Sequence, residues 1–256
     1  MILNRYRHRP RLAPAAVAAV GLILLLAGFA GCSSFVKQDE SYEYFNIGRQ
    51  GTVNGRSMAW TVGVPASYRD GTPTPLILSL HFGGSPSTWY GGTFSDLLVI
   101  PALYELEAIV LSPTCPVSLS WWDEIMEGAV LALIDSVRSE FTIDEERIIV
   151  TGFSFGGIGT WYFAGTHPEL FAAAIPIASQ VSEEFLDSIG DIPLYIIHSI
   201  ADEILPAADI QARVEVLEER GADVTLVLLN RLTHYETAAY VRPLKKALSW
   251  VRDRWR

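Results

Sequence analysis

Arg147-Ile148-Ile149-Val150-Thr151-Gly152-Phe153-Ser154-Phe155-Gly156-Gly157 is the stretch on which the reading of the fold turns. Its first half is β-branched and apolar and reads as a buried strand over 147–152. Its second half opens a helix over 155–167, which Pro168 follows. Between the two stands one serine with a glycine two residues to either side, the pattern G-x-S-x-G. A strand that passes at once into a helix needs a tight, strained turn, and small residues beside the apex permit it. Such a turn lifts the serine hydroxyl above the sheet edge. It also aims the positive end of the helix dipole at the space where an oxyanion would form. Three fixed residues match many chains by chance, so the strand–turn–helix setting carries the weight.

Outward from this turn, strand-like and helix-like segments alternate. Strands are expected at 42–47, 58–64, 76–82, 109–112, 172–177, 194–198 and 224–229, and helices at 124–141, 183–189, 207–220 and 237–255. The runs beginning at 76, 148, 172 and 194 are solidly apolar, as strands covered on both faces are. The expectation is an α/β fold: a mostly parallel central sheet of about eight strands with helices on both faces. Only one short helix fits between the strands at 172–177 and 194–198, so no lid domain is expected. Ligands of open sheets bind beyond the carboxyl ends of the strands, and reactive groups should therefore stand just after strands.

A nucleophilic serine needs a base. The chain has five histidines: His8, His81, His167, His198 and His234. His8 lies in a targeting segment, His167 ends the helix after the serine, and His198 ends a buried strand. His81 closes the strand before Gly83-Gly84. His234 remains, in the loop between the last strand and the last helix. The acid that orients it should follow the strand at 194–198, where Asp202 stands, with Glu203 as its close competitor and Asp209 a distant one.

These features resemble the α/β-hydrolase fold family over roughly 58–255, with the nucleophile elbow at Ser154. The resemblance implies a serine hydrolase with Ser154, Asp202 and His234 in the family's chain order, and no metal or organic cofactor. It places one oxyanion donor at the Phe155 N–H. His81-Phe82-Gly83-Gly84 is similar to the His-Gly-x-Gly loop of esterases, with Phe82 in place of the first glycine. That leaves the second donor between Phe82 and Gly83, with alignment favouring Gly83. His81 supports this loop in the family. Trp121-Trp122-Asp123 resembles a segment that lies beside the site in the phospholipase/carboxylesterase branch. Together with Trp89 these tryptophans are pocket candidates, against the plainer reading that large apolar rings pack in the core. The likeness is nearest to lidless carboxylesterases and to feruloyl-esterase-like and polyhydroxybutyrate-depolymerase-like proteins. The prolyl oligopeptidase catalytic domain is similar too. The implied substrate is a small-molecule ester with a short or aromatic acyl group, carried on a bulky, carbohydrate-like alcohol. A serine peptidase of prolyl-oligopeptidase type, a lysophospholipase or thioesterase, and a catalytically inactive binding lipoprotein are the alternatives.

The 256 residues suit one large domain, and a hydrophobic content of 50% is enough for a sizeable core. The net charge of −10, with no Lys/Arg cluster after Phe35, argues against a nucleic-acid partner. The first 31 residues differ from the rest. Arg5, Arg7, Arg9 and Arg11 precede an apolar run from Ala13 to Ala30, the layout of an export signal. Phe29-Ala30-Gly31-Cys32 resembles a bacterial lipobox, which implies lipidation of Cys32 and an exported protein held at a membrane. An uncleaved single-span anchor is the other reading, since the run is almost long enough to cross a bilayer. The expected organisation is 1–31 signal peptide, 32–41 tether and 42–256 catalytic domain. With two cysteines in all there is no disulfide framework, and the spread of Cys and His gives no metal-site spacing.

Overall fold

The computed structural model describes residues 43–255. The export signal, the tether at 32–41, Cys32 and the start of the first expected strand lie outside the described residues. Eight strands form one sheet: β1 (Tyr44–Val53), β2 (Arg56–Pro65), β3 (Thr74–Leu80), β4 (Ile109–Pro113), β5 (Ile143–Phe153), β6 (Ala173–Ile177), β7 (Leu194–Ser199) and β8 (Val224–Leu229). Their order is β1-β2-β4-β3-β5-β6-β7-β8. β1 and β2 pair antiparallel, as do β2 and β4, and every later neighbour is parallel. β3 and β4 exchange places relative to chain order, so the chain reverses its winding beside β3, and β5 emerges in the middle of the sheet.

The helices are α1 (Tyr90–Phe94), α2 (Ile100–Leu103), α3 (Glu124–Glu140), α4 (Phe155–Thr166), α5 (Glu183–Ser188), α6 (Ala207–Glu219), α7 (Val241–Lys245) and α8 (Ala247–Arg254). Two buried clusters show how they divide. Val130, Leu133, Trp161, Phe163, Leu186 and Ile210 bring α3 to α6 onto one face. Phe94, Leu103, Leu244 and Leu248 bring α1, α2, α7 and α8 onto the other. The inner strands β3, β4, β6 and β7 are thereby sealed on both sides and contain only buried residues. Asp123 caps α3 by accepting from the Ile125 N–H at 3.1 Å, and Ser182 caps α5 through the Phe185 N–H at 3.2 Å.

Three expectations change. β1 extends to Val53 and closes a hairpin through Asn54 and Gly55, whose φ values of 45° and 76° are those of a tight turn that favours Asn-Gly. Residues 90–106 carried no sequence assignment and are helical, with a π-helical turn at Ser95–Val99 between α1 and α2. Gly91 and Gly92 are packing glycines. A Cβ on Gly91 would stand 2.3 Å from the Pro113 carbonyl oxygen, and one on Gly92 would stand 2.4 Å from Thr61 Oγ1. They press α1 onto the sheet. The expected helix at 237–255 is a 3₁₀ turn at Thr237–Tyr240 followed by α7 and α8. Pro243 sits in the first turn of α7, where its missing N–H costs no intrahelical bond.

Candidate active site

Ser154 is the joint between β5 and α4. Its φ of 54° and ψ of −117° lie where a residue with a side chain is strained, at a cost of about 1–3 kcal/mol. The turn is held from both directions: the Ser154 N–H donates to the Ile177 carbonyl and the Ser154 carbonyl accepts from the Ile158 N–H, both at 2.9 Å. The flanking glycines are needed for space. A Cβ on Gly152 would be 2.2 Å from the Gly156 carbonyl oxygen, and a Cβ on Gly156 would be 1.9 Å from the Leu80 carbonyl oxygen. The glycine pattern therefore records how closely α4 crosses the ends of β5 and β3.

His234 Nε2 lies 2.8 Å from Ser154 Oγ, and its Nδ1 lies 2.8 Å from Asp202 Oδ2. The three residues come from the ends of β5, β7 and β8, all at the carboxyl edge of the sheet. Asp202 is buried, and its other oxygen, Oδ1, accepts from the Ile204 and Leu205 N–H groups at 3.0 and 2.8 Å. Acceptance of two backbone donors leaves Oδ2 as the oxygen that receives Nδ1–H, which fixes the imidazole tautomer with Nε2 free to take a proton. Glu203 has a different partner: its Oε2 accepts from the His234 backbone N–H at 2.9 Å. The competing acid thus braces the loop that carries His234.

The other described histidines tie neighbouring segments together. His81 Nδ1 donates to the Phe82 carbonyl at 2.7 Å, while Nε2 accepts from the Cys115 N–H at 2.9 Å. Burial pushes the His81 pKa down to about 4, although the Phe82 bond works in the opposite direction. A neutral imidazole therefore ties the loop after β3 to the loop after β4. His198 donates from Nε2 to the Leu205 carbonyl at 2.9 Å, closing the loop that contains Asp202, and burial lowers its pKa. His167, at the end of α4, bonds Glu127 of α3 at 2.6 Å. The Cys115 thiol is buried, and that burial pushes its pKa up to about 12, the wrong direction for a nucleophile.

Gly83 and Phe155 face each other: a Cβ on Gly83 would be 3.6 Å from the Phe155 Cβ. A cavity of about 750 Å³ opens over Ser154, Gly83 and His234. Phe82, Leu97, Phe153 and Ile204 give it apolar walls, and Tyr235 stands at its mouth with 75% of its surface exposed. Sequence reasoning missed Leu97, Ile204 and Tyr235, which come from three separate loops or helices and share no local pattern. None of the three tryptophans lines this cavity, which corrects the pocket expectation. Trp121 is fully buried, with its indole N–H on the His81 carbonyl at 3.2 Å. Trp89 lies against Gly48 of β1, away from the residues lining this cavity. Trp122 is half-buried and packs with its ring 5.2 Å from Phe155. The first is core because the loop after β4 is tied to His81 at the end of β3, and the second is carried to the sheet edge by α1.

The architecture aligns with a solved thermostable esterase at a TM-score of 0.68, with 24% identity over 81% of this chain and 62% of that one. The fold is the α/β-hydrolase fold. Within this fold, residues 129–195, which hold Ser154, match the prolyl oligopeptidase family. A probable feruloyl esterase C of Aspergillus terreus is 29% identical over 60% of this chain and 57% of its own length. A poly(3-hydroxyalkanoate) depolymerase C of Paucimonas lemoignei is 38% identical over 45% of this chain and 29% of its own length. The chain therefore spans little more than half of the first of these curated relatives and under a third of the second.

Proposed function

We propose that the protein is a serine hydrolase that cleaves carboxylic esters through an acyl-enzyme on Ser154. The observation that carries this reading is the unbroken hydrogen-bond chain from Ser154 through His234 to Asp202 at the floor of the cavity. His234 Nε2 takes the Ser154 proton as Oγ attacks the acyl carbon, and Asp202 stabilises the imidazolium. The Phe155 and Gly83 N–H groups hold the oxyanion, each contributing about 3 kcal/mol to the transition state. His234 then hands its proton to the leaving alcohol. Water repeats the sequence to release the acid and restore the serine.

The apolar walls of the cavity suit a short or aromatic acyl group, and its open mouth leaves the alcohol outside, where a carbohydrate has room. The curated relatives named as feruloyl esterase and polyhydroxyalkanoate depolymerase support an ester over an amide. The match to the prolyl oligopeptidase family favours a second reading, a peptidase using the same triad. For the residues before the described domain, we propose export and lipid anchoring at Cys32, on the strength of the lipobox-like Ala30-Gly31-Cys32. One screen tests the catalytic reading: fluorophosphonate labelling located by mass spectrometry, beside turnover of aryl esters of increasing chain length, feruloyl and acetyl sugars, and peptide amides. The expected result is labelling at Ser154 with short or aromatic esters turned over fastest. Labelling at another residue, or faster cleavage of peptide amides, would overturn it.

A further inference from the structure

The β1–β2 hairpin overhangs the end of the sheet at which Ser154 stands. β2 pairs with β4 over residues 60–63, with Trp60 opposite Pro113, the last residue of β4. Because β2 runs antiparallel to β4, residues 56–59 and the Asn54-Gly55 turn continue past the carboxyl end of β4. That is the end beyond which open sheets hold their ligands.

Against this overhang lies a second cavity, of about 830 Å³, between the hairpin and α3. Its size falls in the range of about 300–1,000 Å³ that small-molecule sites occupy. Trp60 and Trp89 line it, and Gln50, Thr52, Ser57 and Ser136 supply amide and hydroxyl groups. None of the described residues lining it is charged. Trp89 is half-buried, and its six-membered ring covers Gly48, three ring atoms lying 2.9–3.1 Å from where a Cβ would be. It also lines a smaller cavity of about 210 Å³ on the same edge strand, beside Asn46 and Thr93. Its neighbour Tyr90 reaches back to the catalytic loop, with its ring 4.8 Å from His81. The groove and the catalytic cavity thus flank one loop, residues 82–90.

An uncharged cleft with an accessible indole and a border of hydroxyls and amides fits one ligand chemistry. A neutral sugar stacks its C–H face on an aromatic ring and satisfies its hydroxyls with neutral donors and acceptors. A nucleic acid would need cations, and an acyl chain would need a continuous apolar wall. We propose that the hairpin groove is a subsite for a neutral polysaccharide chain, which it holds so that ester groups on the chain reach Ser154. The inference rests on the carbohydrate-ester reading given above.

The test is depletion of the full chain, in detergent micelles, onto insoluble arabinoxylan, with polygalacturonate beads as an anionic control. Ser154→Ala is the background, so that bound substrate is not cleaved. Trp89→Ala in that background is expected to weaken binding by about tenfold, as removal of an aromatic anchor does. Ser57→Arg fills the groove from an exposed position, where folding is not at stake, and is expected to do the same. Loss of binding in Ser57→Arg, together with retention by arabinoxylan alone in the parent, supports the subsite. No retention of the parent, retention unchanged by Ser57→Arg, or equal retention by polygalacturonate overturns it. Wild-type turnover of a small aryl ester is read separately. An active esterase that does not bind arabinoxylan sinks the groove and leaves the catalytic reading standing.

Discussion

Replacing Asp202 by Asn, beside Glu203 by Gln, separates two acids that are adjacent in sequence and different in geometry. Oδ1 of Asp202 accepts two backbone N–H groups, at 3.0 and 2.8 Å. An Asn there keeps its single carbonyl oxygen on those donors, because turning it away would leave them facing an NH₂. The amide NH₂ is then presented to His234 Nδ1, 2.8 Å from the present Oδ2. A donor at that position forces Nδ1 to be the unprotonated nitrogen. Nε2 then carries its hydrogen toward Ser154 Oγ and cannot take the serine proton. Loss of the correct tautomer in a triad of this kind lowers kcat by about 10⁴, or about 5 kcal/mol of barrier. In Glu203→Gln the amide oxygen still accepts from the His234 N–H, so the loop keeps its brace and kcat changes by less than about threefold. The assay is kcat and KM for a short aryl ester at pH 7.5, with the thermal midpoint recorded for each variant. Asp202→Asn should melt near wild type, since the mutant amide satisfies the same backbone donors. The reasoning would be refuted by Asp202→Asn retaining a tenth of wild-type kcat, or by Glu203→Gln being the more damaged of the two.

Two further outcomes follow from the structure and a third from the sequence. His81 has an ordinary pKa of 6.5 and a folded value of about 4. The unfolded chain therefore binds a proton that the folded chain refuses, and stability present above about pH 6.5 is lost as pH falls toward about 4, by about 3 kcal/mol in full. Urea midpoints from pH 7 to 4.5 should show this slope in wild type and a shallower one in His81→Gln, and equal slopes would remove His81 as the cause. Gly156→Ala places a Cβ 1.9 Å from a carbonyl oxygen of β3, whose neighbour pairing Leu80 with Gly152 cannot yield without opening the sheet. It should cost more than about 4 kcal/mol, seen as loss of soluble protein or of the cooperative thermal transition. Cys32→Ser is expected to accumulate uncleaved precursor and to lose radiolabelled palmitate, and palmitate that survives the substitution would rule out the lipid anchor.

The elbow was legible in sequence because its constraints are local. A strand, an apex and a helix occupy consecutive residues, and the glycines that let α4 cross β5 stand two positions from the serine. Sheet membership was legible for the same reason, since strands covered on both faces are apolar without alternation. Asp202 and His234 could be nominated because each follows a strand, but the sequence left Asp202 and Glu203 as neighbours of equal chemistry. Only the tertiary fold separated them, turning one carboxylate to the imidazole and the other to the backbone of the same residue. Residues 90–106 escaped sequence assignment because Gly91, Gly92 and Pro101 are unfavourable in an isolated helix, and packing against β2 and β4 supplies the compensation. The tryptophans carried no directional signal at all. Whether an indole is sealed in the core, packs half-buried on its margin or borders the hairpin groove depends on which surfaces distant segments bring to it. Trp121, Trp122 and Trp89 went three different ways. Local pattern thus determined most of the elements and the strained turn that carries Ser154. Partner choice and the shape of both cavities came from through-space packing among segments far apart in the chain, which no local pattern encodes.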